Sequence, residues 1–264
     1  MDLIDIGANL THDSFDQDRE AVIERAAACG VRRMIVTGSS EQGSLDAALL
    51  AAGRPGCLFA TVGVHPHHAA GYTPRVRESL RRLLDQDQVV AVGECGLDYF
   101  RDFSPRHAQR QAFQAQLEVA EESGLPVFLH QRDAHTDFVE IMRPMIERLS
   151  GGIAHCFTGD AAALRDYLDM GLYIGITGWI CDERRGTELR GLAREIPLDR
   201  VMIETDAPYL LPRTLKPKPA TRRNEPMHLR EVLRAFAEAA GISEERIADA
   251  ATQNAERLFR LPPH

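Results

Sequence analysis

Residues 89–98 read VVAVGECGLD. Four apolar, mostly β-branched residues lead into a glycine and then into the carboxylate of Glu94. A continuous apolar run of this kind is typical of a parallel strand that is buried on both faces. A carboxylate at the end of such a strand is partly removed from water, which is unfavourable unless a partner lies beside it. The stretch therefore predicts a buried strand that presents Glu94 to a polar site.

Similar apolar runs recur along the chain, with amphipathic helical segments between them. Strands are predicted over residues 3–6, 33–36, 58–64, 89–92, 126–129, 152–154, 172–176 and 200–203. Helices are predicted over residues 18–29, 74–84, 106–123, 134–149, 161–169 and 186–195. This alternation is the rhythm of βαβ units. Eight units in 264 residues favour an α/β fold, a (β/α)8 TIM-type barrel formed by a single domain over residues 1–264, with a doubly wound open sheet as the alternative.

Composition narrows the class of protein. The chain is 44% hydrophobic and 27% charged, with a formal net charge of −8, which is typical of a soluble globular protein. The acidic balance argues against broad, non-specific nucleic-acid binding but leaves room for a locally basic groove. None of the five cysteines forms a CxxC pair, so reduced thiols and a cytoplasmic location are expected. We see neither a signal-peptide pattern nor an apolar run of ~18 residues, and therefore expect no membrane association.

Polar side chains follow the ends of most of the predicted strands. They are Asn9, His65, Glu94, His130, His155, Glu204 and Asp206. Because the carboxyl ends of barrel strands form one ring, we expect these side chains to share one mouth. Any one of them alone would more often be an ordinary core or loop residue. Their coincidence on several strands favours a divalent metal site built from Glu94, His130, His155 and Asp206, since imidazole nitrogens and carboxylate oxygens suit Zn, Mn or Mg.

Further residues are expected to contact a substrate at this mouth. His65 and His67 have the period-two spacing that places side chains on one side of an extended segment, as do Glu204 and Asp206. His65 is expected to contact a scissile phosphate. Trp179 could stack on a base or simply pack at the rim, and the same alternatives hold for Tyr209. Basic groups around the mouth would bind phosphates, namely Arg101, Arg132, Arg184, Arg185, Arg213, Lys216, Lys218, Arg222 and Arg223.

Several motifs resemble the signatures of the TatD family of metal-dependent deoxyribonucleases. They read GVHPH at 63–67, GECGLD at 93–98, LHQRDA at 129–134, HCFTG at 155–159 and ETDAPYL at 204–210. Two longer stretches resemble the TatD branch of the family rather than its paralogues. These are IGITGWICDERRG at 174–186, and KPKP at 216–219 with RRNEP at 222–226. The resemblance extends from residue 5 to residue 258.

The resemblance implies a barrel of the metal-dependent hydrolase superfamily with 3'-5' exonuclease activity. The substrates would be DNA, preferably single-stranded, and RNA, with a role in DNA repair. Magnesium is the expected cofactor, and manganese or zinc are alternatives. Glu94, His130, His155 and Asp206 would be metal ligands, with Asp206, Glu94 and His65 as catalytic residues. The substrate-binding residues would be His65, His67, Arg132, Glu204, Lys216, Lys218, Arg222 and Arg223.

Two other functions remain open at this point. Some TatD-like proteins are similar to D-aminoacyl-tRNA deacylases, and the same kind of site could hydrolyse an ester. The family name also suggests a non-enzymatic, export-associated factor, although no apolar or amphipathic membrane element supports that role. We expect a monomer.

One stretch departs from the pattern of the wider superfamily. Many members carry His-x-His at the end of the first strand, where this chain has Gly7-Ala8-Asn9. A glycine and a neutral amide are poor substitutes for imidazole ligands. We therefore expect at most one divalent ion to bind tightly in the absence of substrate.

Overall fold

The computed structural model describes residues 1–262 and contains eight parallel strands in one sheet. The strands are β1 Leu3–Ala8, β2 Val31–Val36, β3 Leu58–Val62, β4 Val89–Asp98, β5 Val127–Arg132, β6 Gly152–Ala154, β7 Tyr173–Ile176 and β8 Val201–Ile203. Each strand pairs with the next one along the chain. A parallel bridge joins Ala8 to Ala207, so the end of β8 returns to β1 and the barrel nearly closes. The predicted TIM-type barrel is confirmed, and the open sheet is excluded.

Helices connect the strands on the outside of the barrel. They are α1 Arg19–Ala28, α2 Glu41–Ala52, α3 Pro74–Leu84, α4 Arg106–Ser123, α5 His135–Met142, α6 Ala161–Asp169, α7 Thr187–Leu192, α8 Leu229–Ala240 and α9 Glu244–Phe259. The predictions for α3, α4 and α6 match the observed bounds. The helix predicted over 134–149 is shorter, because α5 ends at Met142 and a separate 3-10 turn follows at Ile146–Arg148. The sequence did not predict α2, α8 or α9. The buried positions of α2 are mostly alanines, whose periodic signal is weak.

The core fills the barrel from its amino-terminal end. Inward-facing residues of the strands, including Ile4, Val90 and Phe128, form one buried cluster with Phe259 and Leu261 at the end of the chain. Burying each large side chain of this kind stabilises the fold by about 1.5–3 kcal/mol. A second and larger cluster fills the layer between strands and helices. Apolar packing therefore occupies one end of the barrel, and the carboxyl ends of the strands are left for polar side chains.

Strand β4 continues beyond Glu94, where the sequence predicted its end. It remains paired with β5 as far as the partners Asp98 and Arg132. Gly96 has a φ of 145°, and a Cβ at this position would overlap the carbonyl oxygen of His130 on β5. Only glycine allows this close approach of the two backbones. As a result, both Glu94 and Asp98 lie on β4 at the mouth of the barrel.

Across residues 1–262, none of the helices is both long enough and apolar enough to span a bilayer.

Candidate metal centre

Three histidines from three segments converge on one oxygen of Glu94. His130 Nδ1 and His155 Nε2 each lie 3.0 Å from Glu94 Oε1, and His65 Nε2 lies 3.5 Å from it. Glu94 is 7% exposed, so this carboxylate is almost completely removed from water. His65 follows β3, Glu94 and His130 lie on β4 and β5, and His155 follows β6. The barrel thus brings together side chains that the sequence separates by up to 90 positions (155 − 65 = 90).

Asp206 lines the same cavity, which has a volume of about 770 Å³. The side-chain amide of Asn9 donates a hydrogen bond of 3.0 Å to Asp206 Oδ1. Burial raises the pKa of Asp206 to about 7, and the charge of His155 only partly opposes this rise. Asn9 therefore orients this carboxylate from the end of β1.

The buried carboxylates require positive charge. Burial alone would raise the pKa of Glu94, but the charge of His155 and hydrogen bonds from His130 and His155 outweigh burial and hold the pKa well below its ordinary value. Burial would lower the pKa of His155, yet Glu204 and Glu94 raise it well above its ordinary value. In the metal-free protein, a protonated His155 supplies the charge that these carboxylates need. A divalent cation would meet the same requirement.

The hydrogen bonds of the three rings decide which nitrogen each can offer to a cation. His155 Nδ1 lies 3.0 Å from Glu204 Oε2 and donates to it, which leaves Nε2 facing Glu94. His65 Nδ1 accepts a hydrogen bond from the backbone N–H of His67, so the neutral ring carries its proton on Nε2. Burial lowers the pKa of His65 to about 3, which makes this neutral form the prevailing one. His155 is therefore suited to bind a metal, and His65 to donate a hydrogen bond into the cavity.

His130 carries a buried ring nitrogen that calls for a partner. Within residues 1–262, its Nε2 makes no hydrogen bond, although Asp98 Oδ2 lies 3.4 Å away. A buried polar atom without a partner is rare in protein interiors. Ligand atoms of His65, Glu94 and His130 all lie within 4.8 Å of one another, the spacing of a metal site. The donor set around Glu94 therefore fits a divalent cation, and His130 Nδ1 is the nitrogen of that ring that faces Glu94.

Glu204 does not occupy the position that the sequence predicted. It was expected to contact substrate, but it is 0% exposed. Its carboxylate accepts hydrogen bonds from His155 Nδ1 and from the backbone N–H of Cys156, at 3.0 and 2.6 Å. A Cβ on Gly7 or on Gly175 would overlap the oxygens of this carboxylate. Glu204 is therefore buried behind His155, and glycine on β1 provides the room that it needs.

Asp98 is a site residue that the sequence analysis missed. It is 2% exposed, and its Oδ2 lies 2.8 Å from His67 Nε2. Its Oδ1 accepts hydrogen bonds from the backbone N–H groups of Phe100 and Arg101. Burial would raise its pKa, but the nearby His130 and hydrogen bonds from the backbone of Arg101 and from His67 hold it well below its ordinary value. The signal was the last residue of the GECGLD motif, which was overlooked because β4 was expected to end at Glu94.

The predicted substrate-binding residues fall into two groups. Those that line the cavity are His65, His67, Arg132 and Arg222. Lys216 and Lys218 are exposed on the loop after β8 but do not line the cavity. Arg223 points elsewhere, because it forms ion pairs of 2.7 and 2.8 Å with Asp18 and Glu225. Of the five predicted basic residues on this loop, which include Arg213, only Arg222 reaches the cavity.

Aromatic side chains also surround the mouth. Trp179 and Tyr209, which the sequence predicted there, both line the cavity, and Phe100 joins them. Cys95 is buried, whereas Cys156 lines the cavity. The mouth therefore combines stacking surfaces with basic and ligand-type groups.

A TIM-type barrel with histidines and carboxylates gathered at its strand ends defines the class of metal-dependent hydrolases. Comparison with known sequences identifies the family within this class. The chain belongs to the TatD related DNase family, whose model matches residues 4–260. A protein of Pectobacterium carotovorum named 3'-5' ssDNA/RNA exonuclease TatD is 49% identical over 98% of this chain and 100% of its own length. A protein of the same name from Klebsiella pneumoniae is 47% identical over 98% of both chains.

Solved structures give the same result. A TatD homologue from Escherichia coli K12 is 28% identical and superposes with a TM-score of 0.89 over 98% of both chains. A TatD family hydrolase from Entamoeba histolytica is 25% identical, with a TM-score of 0.88 over 99% of both chains. A 5-methylcytosine deaminase from Klebsiella pneumoniae, at 19% identity and a TM-score of 0.61, shares the fold; the alignment covers 93% of this chain and 64% of the deaminase.

Proposed function

We propose that this chain is a 3'-5' exonuclease that hydrolyses phosphodiester bonds of single-stranded DNA and of RNA with a divalent cation, most simply Mg²⁺. The observation that carries the proposal is the convergence of His130 and His155 on one oxygen of the buried Glu94. The names of relatives that match nearly the whole chain at up to 49% identity support the choice of substrate.

The cation would be held by Glu94, His130, His155 and Asp206. His130 Nδ1 and His155 Nε2, which both lie 3.0 Å from Glu94 Oε1, support this set. When bound, a divalent cation supplies Lewis-acid chemistry and neutralises the charge of the phosphodiester. The cluster of ligand atoms also includes His65. We assign His65 to the substrate because its Nε2 carries the proton of the neutral ring and therefore donates a hydrogen bond.

The side chains of this chain would perform the remaining steps. His65 Nε2 donates a hydrogen bond to an oxygen of the scissile phosphate. Asp206, oriented by Asn9, accepts the proton of the attacking water. His67, Arg132 and Arg222 line the cavity and bind the strand through its phosphates. Glu204 acts only through His155, whose ring it holds in place.

The two alternatives are less well supported. Ester hydrolysis on D-aminoacyl-tRNA and a non-enzymatic export role both lack a counterpart among the relatives reported above, which are named as exonucleases. A role in DNA repair and a monomeric state stay predictions. We further propose that the chain acts as one domain in the cytoplasm. The five cysteines are all free, which suits a reducing compartment.

The test is digestion of 5'-labelled single- and double-stranded oligonucleotides in Mg²⁺, Mn²⁺, Zn²⁺ or EDTA. The proposal expects a ladder of products shortened from the 3' end, with single strands cleaved faster and EDTA abolishing cleavage. Glu94→Gln should remove the activity, whereas Glu188→Gln, an exposed change on α7, should keep it. Cleavage that persists in EDTA, or that survives in Glu94→Gln, would contradict the proposal.

A further inference from the structure

A second cavity of about 700 Å³ lies directly beside the metal centre. It is bounded by residues that follow β4, β5, β6 and β7, at the same end of the barrel. Both cavities are lined by Phe100, Gln131, Arg132, Thr158 and Trp179, which form the wall between them. Its volume is in the range of sites that bind small organic ligands. A nucleic-acid strand that crosses this wall from the metal centre enters the second cavity, which we call the flanking cavity.

The wall is a row of planar groups. The guanidinium carbon of Arg132 lies 4.0 Å from the ring centroid of Phe100 and 5.7 Å from that of Trp179. The guanidinium of Arg185 covers Trp179 at 4.3 Å. Phe100 is 53% exposed, whereas phenylalanine side chains are most often buried. Nucleobases stack on planar surfaces of this kind, which combine aromatic rings with arginine guanidinium groups.

Arg132 is also free to bind a phosphate. Aspartates and glutamates elsewhere in residues 1–262 pair with arginines such as Arg185 and Arg213, but none forms an ion pair with Arg132. Its planar face rests on the aromatic wall, so its N–H groups remain available at the boundary between the two cavities. This position suits the phosphate that links two successive nucleotides.

The rest of the flanking cavity is unsuited to phosphate. Its lining includes the exposed side chains of Asp133, Thr136 and Asp160 and the half-buried Thr158. One oxygen of Asp160 caps α6 through the backbone N–H of Ala163. Carboxylates repel a phosphodiester but accept hydrogen bonds from the amino and imino groups of base edges. The metal centre therefore suits a phosphate, and the flanking cavity suits the base of a neighbouring nucleotide.

We propose that the flanking cavity is a subsite for one unpaired nucleobase of the strand, which stacks on the wall of Phe100 and Trp179 while Arg132 holds the connecting phosphate. This inference rests on the proposed exonuclease function and names how the substrate is selected. A base that is still paired in a duplex cannot present both its face and its edge to this cavity. The subsite therefore gives a physical reason for the preference for single strands.

The test uses DNA oligonucleotides with one abasic nucleotide at the first, second or third position from the 3' end. Cleavage rates and equilibrium binding are measured for the wild type, Phe100→Ala and Phe103→Ala. Phe103 is a matched control, because it lies in the same loop and is 69% exposed, but it lines neither cavity. An abasic nucleotide at either the second or the third position removes the stacked base and should weaken wild-type binding roughly ten-fold. Phe100→Ala should no longer distinguish the abasic strand, and Phe103→Ala should still do so.

Three results would overturn the subsite. One is wild-type binding that is unaffected by base removal at every position, and a second is full discrimination in Phe100→Ala. Equal loss in Phe103→Ala would assign the effect to the loop and would also overturn it. Failure of the proposed function looks different, because the wild type would then not shorten an intact oligonucleotide at all.

Discussion

Glu204 Oε2 lies 3.0 Å from His155 Nδ1, and both residues are buried, with exposed fractions of 0% and 6%. The carboxylate holds a proton of His155 on Nδ1 and therefore leaves Nε2 as the nitrogen that faces Glu94 and can bind a cation once the ring is neutral. Its second oxygen accepts the backbone N–H of Cys156. This pair connects the buried side of β8 to the mouth of the barrel and leads to the first prediction.

Glu204→Gln should weaken metal binding by roughly 10–100-fold. The amide has one acceptor oxygen where the carboxylate uses two, so either His155 or the Cys156 N–H loses its partner. Calorimetric titration with Mn²⁺ measures the affinity, and Glu188→Gln on the exposed part of α7 is the control. Turnover at saturating metal should largely recover. Unchanged affinity would mean that Glu204 does not position His155.

Glu94→Ala, His155→Ala and Asp206→Ala should each reduce exonuclease turnover by at least about a hundred-fold, since stabilisation by a bound cation is worth several kcal/mol. The measurement is initial rate at saturating metal and DNA. Circular dichroism is needed alongside it to show that the barrel is intact. Turnover close to that of the wild type in any of the three would contradict the site assignment.

Arg222 and Arg223 are adjacent and provide a matched pair. Arg222→Gln should weaken binding of single-stranded DNA and flatten its salt dependence by roughly 0.7 in log–log slope, because Arg222 lines the cavity. Arg223→Gln should leave the slope unchanged and lower the free energy of unfolding by about 1 kcal/mol, since its ion pairs with Asp18 and Glu225 are partly exposed. Equal effects of both variants on the slope would show that the loop is merely a charged surface.

Asp5 should make the stability of the protein dependent on pH. It is 0% exposed, and burial raises its pKa to about 7 although hydrogen bonds from Thr205 and Gly7 oppose the rise. Between about pH 4 and pH 7, the folded state keeps a proton that the unfolded state has lost. Stability should therefore fall as pH rises, by up to about 1.4 kcal/mol per pH unit from this group.

The check for Asp5 is urea unfolding of the wild type and of Asp5→Asn across this pH range at fixed metal concentration. The neutral amide removes the titrating group. As pH rises, the free energy of unfolding of the wild type should therefore fall relative to that of Asp5→Asn. A constant difference would show that Asp5 does not titrate in this range.

The wild type should bind one divalent ion tightly when DNA is absent. Asn9 directs its amide to Asp206, and Gly7 cannot be replaced by histidine because a Cβ there would overlap Glu204. Asn9→His, which places an imidazole beside Asp206, should gain a second ion in a calorimetric titration. Two ions of comparable affinity in the wild type would show this prediction to be wrong.

Local sequence determined the architecture. Runs such as VVAV at 89–92 are too apolar and too β-branched for a solvent-exposed strand, and their spacing leaves room for one helix each. Eight such units have one favoured closed arrangement, so the sequence alone predicts that the polar residues after the strands share one mouth. The assignments of Glu94, His130, His155 and Asp206 to that mouth depended on this argument and on the family motifs.

Only the tertiary structure decided where each side chain points. Glu204 and Asp206 share one motif, yet Glu204 is buried in space left by Gly7 and Gly175, while Asp206 lines the cavity. Arg222 and its neighbour Arg223 likewise diverge, because Asp18 and Glu225 attract Arg223 alone. Neighbours in the chain share their backbone propensities. Their directions depend on space and charge supplied by distant segments, which a local pattern does not contain.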